Sequence, residues 1–155
     1  MTERGRGGGW VLGQVLLIAA ILLSAALGPG APDSVAVVAY ALGGVLMALG
    51  VVLVVAGATG LGSSLTPFPA PRAGGDLITT GIYQRVRHPM YGGGILFALG
   101  WSIVTGSAAG LVLTAGLVLF FELKSRREER WLLDRYAGYA EYRRGTPRRF
   151  VPFVY

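Results

Sequence analysis

The sequence predicts an all-α integral membrane protein of about four transmembrane helices. The last two form a hairpin and lead into a cytoplasmic amphipathic C-terminal helix. Three observations carry this prediction. Of 155 residues, 53% are hydrophobic and only 14% charged, whereas about a quarter of a soluble domain is charged; the mean hydropathy is +0.57. Three long windows contain no Asp, Glu, Lys or Arg: Arg6 to Asp33, Asp33 to Arg72, and Arg87 to Glu122. The cations outside those windows fall on one face once the windows are read as spans.

A span needs about 20 apolar helical residues, each advancing about 1.5 Å across about 30 Å of hydrocarbon. The first window holds one, about Trp10 to Leu27. Arg4 and Arg6, the apolar stretch and Ser24-Ala25-Ala26 imitate a cleavable signal. That stretch is longer than the usual signal core of about 7–15 residues, so a retained span is expected. The second window also holds one, about Val35 to Leu61, because Pro67, Pro69 and Pro71 exclude a second helix at its end. Within it Gly43, Gly50 and Gly57 recur every seven residues, close to two helical turns, marking a stripe where another helix can approach. Packing inside the chain is the expected use of that stripe, and a homo-oligomer seam is the alternative. The third window is too long for one span. It breaks at Gly106-Ser107-Ala108-Ala109-Gly110 into a hairpin of about Pro89 to Thr105 and Ala108 onward through Glu122.

Arg4 and Arg6 precede span one, Arg72, Arg85 and Arg87 separate spans two and three, and Lys124 with eight arginines follows from the end of span four. Four spans put all 14 Lys and Arg on one side and leave Asp33 on the other. By the positive-inside rule both termini are then cytoplasmic. The basic excess is thus a signal of topology and anionic membrane lipids, and no nucleic-acid partner is expected. Zero cysteines exclude disulfides, thiolate nucleophiles and zinc–thiolate sites, and one histidine excludes a multi-His metal centre.

The chain reads as a single domain, 1–155, with its two N-terminal spans in residues 1–62 and its chemistry in 75–152. Pro89 suits the first turn of span three, because its missing N–H would be unpaired there anyway. His88 then lies at the positive end of a helix dipole, where free N–H groups suit an anion; a capping or interfacial role is the plainer alternative. In the second segment, Glu122 with Arg126 and Lys124 with Glu128 have the i,i+4 spacing of surface pairs. The ending Arg148-Arg149-Phe150-Val151-Pro152-Phe153-Val154-Tyr155 mixes arginine with aromatics as an interfacial anchor would.

The order of these pieces is more specific than any one of them. Gly-x-Tyr-x-x-x-Arg-His-Pro-x-Tyr-x-Gly (Gly81 to Gly93) enters the hairpin; Glu-Glu-x-x-Leu (Glu128 to Leu132), Tyr139, Tyr142 and Arg-Phe-Val-Pro follow. Over about residues 75 to 152 the chain resembles the isoprenylcysteine carboxyl methyltransferase family and its relatives among the phospholipid N-methyltransferases. The resemblance implies a membrane methyltransferase using S-adenosylmethionine, with Leu77, Ile78, Tyr83, His88, Pro89, Met90, Tyr91 and Glu128 binding the cofactor and Glu129 completing the acidic pair. It implies a lipophilic acceptor drawn from the membrane: a lipid amine, a thiol or an isoprenoid-like carboxylate. Lys124 stands where the family has a substrate-side arginine, keeping the charge but not the bidentate fork. The stretch from Glu-Glu to the paired tyrosines is one residue short of the family's. A non-catalytic four-span scaffold or sensor is the reading from another class, and the presence of both the His-Pro and Glu-Glu elements favours the enzyme. An exporter fits poorly, since the spans hold no ionisable residue before Glu122.

Overall fold

The computed structural model describes residues 7–68 and 74–152. Arg4, Arg6, Arg72, Pro69, Pro71 and Phe153 to Tyr155 lie outside the described residues. All regular structure among the described residues is helical: α1 (Gly8–Leu23), running into a 3₁₀ turn at Ser24–Leu27, α2 (Ala36–Leu61), α3 (Pro89–Val104), α4 (Ala108–Arg135) and the short α5 (Tyr139–Gly145).

Three of the four predicted spans are long and apolar enough to cross a bilayer: Gly8–Leu27, Ala36–Ser64 and Ala108–Arg135. The fourth, α3, has 16 residues, a rise of about 24 Å against about 30 Å of hydrocarbon. Its ends are fixed locally. Pro89 occupies the first helical position, and Gly106, with φ +60°, takes the left-handed conformation that ends a helix cheaply only in glycine. The amphipathic C-terminal segment is the continuation of span four: α4 runs unbroken from its apolar half through Glu122 to Arg135.

The pairing of α2 with α3 is the most extensive in the fold, and glycines make it so. A Cβ on Gly50 would lie 2.6 Å from the Gly93 carbonyl oxygen and 2.8 Å from the Phe97 nitrogen. One on Gly43 would lie 2.7 Å from the Gly100 oxygen, and one on Gly57 would meet Met90 and Pro89. The two helices therefore run antiparallel with their backbones in contact, and the stripe Gly43, Gly50, Gly57 is consumed inside the chain.

At the far end of the hairpin, Ser107 caps α4 by accepting from the Gly110 N–H (3.0 Å) and donates to the Ser24 carbonyl (2.9 Å). This pins α1 to the α3–α4 corner. Ile21, Ala98, Leu117, Phe121 and Phe150 form the buried core. Leu12, Leu16, Val37, Val38, Val52, Val112 and Leu119 point outward, an apolar perimeter too extensive for water and suited to lipid. Beyond α5 the chain doubles back as a strap. The Arg87 N–H donates to Arg148 O (3.1 Å) and the His88 N–H to Arg149 O (2.8 Å). Gly92 lies against the Phe150 carbonyl with no room for a side chain.

Candidate functional site

The turn before α3 is held from three sides. Gly81, at φ +62°, opens a 3₁₀ turn over Gly81–Gln84. The Tyr83 hydroxyl donates to Gly57 O on α2 (3.1 Å), and the Tyr142 hydroxyl donates to Tyr83 O (2.7 Å). Arg87 donates from Nη1 to Pro147 O (2.7 Å) and also reaches Thr146 O. His88 consequently takes the N-cap position with Pro89 behind it, as expected, but its side chain makes no cap hydrogen bond. The helix start is also a poorer anion cradle than the sequence suggests. Pro89 has no N–H, and those of Tyr91 and Gly92 go to the His88 carbonyl (3.1 and 3.2 Å), which leaves Met90.

The His88 ring meets the acidic pair of α4 instead. Its Nε2 lies 3.1 Å from Glu129 Oε1 and its Nδ1 3.9 Å from Glu128 Oε2. Glu129 is a buried ion-pair hub: Arg87 Nε approaches Oε1 at 2.9 Å, Arg149 Nε at 3.5 Å, and Arg143 reaches Oε2 at 3.9 Å. It ties α4 to the turn and to the strap together. Glu128 faces elsewhere and accepts a hydrogen bond from the Tyr91 hydroxyl (2.7 Å). Tyr91 is stacked between His88 (ring centroids 5.3 Å, planes 6° apart) and Phe121 (4.6 Å, 13°).

These groups enclose a cavity of about 360 Å³, within the range of small-molecule sites. Leu77, Ile78, Tyr83, His88, Pro89, Met90, Tyr91, Lys124 and Glu128 line it, while Glu129 stands behind the wall. The wall also includes Gln14, Asp76, Arg87, Tyr136, Tyr139 and Tyr142, which sequence reasoning did not assign to the site. Arg87 was visible in the Arg-His-Pro string, and Tyr139 and Tyr142 in the paired tyrosines. Gln14 had a fainter signal, as one of the few polar residues of an apolar span.

Burial pushes the Tyr142 phenol up to about 12 and those of Tyr83 and Tyr139 higher still, so all three remain neutral donors at working pH. The Tyr139 hydroxyl, buried in the wall, has no hydrogen-bond partner among the described residues.

Lys124 departs from a surface reading. It is only 1% exposed and forms no ion pair with Glu128. Its Nζ donates to Gln14 Oε1 on α1 (2.5 Å) and, at 3.4 Å, to Pro67 O, and lies 5.1 Å from the Tyr91 ring centre. One to two turns deeper along the same helices lies a second chamber, about 280 Å³, walled by apolar residues including Ile18, Leu22, Val51, Val54, Phe97 and Leu117. The site therefore has an acidic, aromatic side, a buried cationic side, and an apolar annex. Among the described residues no cluster of His, Asp and Glu could hold a metal ion.

Known proteins share this chain's features. The family model for phospholipid methyltransferases matches residues 38–138, well over half of the chain. A protein-S-isoprenylcysteine O-methyltransferase of Schizosaccharomyces pombe is 38% identical over 74 residues, covering 46% of this chain and 31% of that one. A cobalt-zinc-cadmium resistance protein of Cupriavidus metallidurans is 36% identical over 80 residues, 51% of this chain and 37% of its own. A delta(14)-sterol reductase of Mus musculus is 33% identical over 87 residues, 53% of this chain and 20% of its own. The matched stretches thus span between a fifth and two fifths of the length of these relatives. The resemblance read from the Arg-His-Pro and Glu-Glu motifs is borne out by the family match and the yeast relative.

Proposed function

Because the chain belongs to the phospholipid methyltransferase family, we propose that it is an integral membrane methyltransferase that uses S-adenosylmethionine and modifies a lipophilic acceptor. The observation that carries this reading is the cavity in which the His-Pro turn and Glu128, 40 positions apart in the sequence, face one another. When bound, the cofactor supplies an electrophilic methyl group on a sulfonium. The residues around the cavity suit its parts. Glu128 offers a carboxylate to the ammonium, and Tyr83 and Tyr91 offer ring faces that attract a sulfonium. Leu77, Ile78, Pro89 and Met90 give apolar walls. With one free N–H at the helix start, a carboxylate needs further donors, and Arg87, His88 and the Tyr139 hydroxyl stand in the same wall. Glu129 acts from behind as a positioning residue, fixing Arg87 and His88. Holding donor and acceptor in line is the principal demand of such a transfer.

The membrane arrangement belongs to the same proposal. The three long helices and α3 cross together, α3 reaching both interfaces through its neighbours, with both termini on the cytoplasmic side. An acceptor then reaches the cavity sideways from the bilayer through the apolar chamber.

The test is calorimetric titration of the detergent-purified protein with S-adenosylmethionine and S-adenosylhomocysteine. Both should bind, and Glu128→Gln should weaken binding by roughly 10- to 150-fold, the cost of a charge-assisted hydrogen bond of about 1.5–3 kcal/mol. Binding of neither would favour a non-catalytic scaffold. Undiminished binding by Glu128→Gln would remove that residue from the site.

A further inference from the structure

The ammonium of Lys124 is 1% exposed as a residue and has no carboxylate within ion-pair distance among the described residues. Glu129 one turn along meets several cations, so a buried charge in this protein is ordinarily compensated. Nearby Glu128 is turned to the Tyr91 hydroxyl. Lys124 rests on neutral oxygens, those of Gln14 and Pro67. A buried cation with no anion in direct contact is costly, and the cost is reduced by a ligand that brings one.

Gln14 sharpens the point. An ammonium has donors only, so the amide must turn its oxygen to Lys124 and its NH₂ away. That NH₂ has no partner among the described residues, and Gln14 lines the cavity. The pair thus presents N–H donors and a positive charge at the level where the reaction cavity gives way to the apolar chamber. From Gln14 the wall continues to Ile18 and Ile21, from Lys124 to Leu117, and from Tyr91 to Gly94 and Phe97.

We propose that Gln14, on the first helix and outside the stretch matched by the family model, is a specificity-determining residue: with Lys124 it seats the oxyanion head of a single-chain amphiphile whose tail fills the chamber. The inference rests on the methyltransferase reading of the cavity and names its acceptor class. A cationic amine head would be set against the Lys124 ammonium, a like-charge contact that discriminates against it. Gln14→Glu, nearly identical in shape, would supply the missing counter-charge from the protein and cancel the preference.

The protein in lipid nanodiscs, with and without S-adenosylhomocysteine, is photolabelled with a diazirine-bearing twelve-carbon fatty acid, and laurate or dodecylamine is added as competitor. Label should fall on the peptides carrying Ile18 to Leu22 and Phe97. Laurate should compete at concentrations at least about ten-fold below dodecylamine, one charge-assisted hydrogen bond's worth of discrimination. Gln14→Glu should abolish that difference while S-adenosylhomocysteine still binds, which reports an intact fold. No saturable label in the chamber, equal competition by the amine, or an unchanged preference in Gln14→Glu would each overturn the inference. Failure to bind S-adenosylhomocysteine with laurate preference intact would instead overturn the methyltransferase reading and leave an oxyanion-binding membrane protein.

Discussion

Glu128 and Glu129 are adjacent in sequence but turned about 100° apart on α4, and that rotation separates their roles. Glu129 is enclosed by Arg87, His88, Arg143 and Arg149; Glu128 opens into the cavity. Removing the Glu129 charge leaves Arg87, itself 9% exposed, without its carboxylate, and breaking a buried pair costs about 3–5 kcal/mol. Glu129→Gln should therefore lower the melting temperature sharply, measured in detergent by intrinsic fluorescence. Lys124→Met should behave in the opposite way. It removes a buried cation that no carboxylate contacts directly, so the melting temperature should hold or rise while transfer to the acceptor is lost. A fall as large as that of Glu129→Gln would mean that Lys124 is structural. Sequence spacing paired Lys124 with Glu128 as a surface couple. The structure replaces that pairing with Gln14, 110 residues away in the chain, a partner no local pattern can announce.

At the level of elements, α2 and α3 show what a pattern can announce. The seven-residue glycine repeat foretold a close helix contact, and the opposing Gly93 and Gly100 make it a backbone-to-backbone one. Gly50→Leu should destabilise the protein by more than the usual 1–3 kcal/mol of an overpacked core, because the obstructing atoms are backbone and cannot rotate away; an unchanged melting temperature would contradict this packing. Spans one, two and four were legible because lipid demands a continuous apolar run and charge interrupts it. The extent of α3 was legible too, through Pro89 and Gly106, but its shortness relative to the bilayer was masked by the apolar sequence around it. The cavity lining was readable from the Arg-His-Pro and Glu-Glu motifs. The division between the glutamates, the strap and the part played by α1 were not, since each depends on contacts between distant segments.

For the molecule as a whole, the one-sided distribution of Lys and Arg predicts an orientation that the cysteine-free chain makes simple to measure. Single cysteines at positions 2 and 33, exposed in intact cells to a membrane-impermeant thiol reagent, should be labelled at 33 and not at 2; the reverse result would invert the topology. The same architecture sets an order of events during synthesis. Arg87 and His88 take backbone partners at Arg148 and Arg149 and hold Thr146 and Pro147, some sixty residues later in the chain. The turn before α3 is synthesised before those partners exist. A nascent chain lacking them has an unfinished turn before α3, so forming the helices and completing the cavity wall are separate stages of its maturation, the second waiting on the strap.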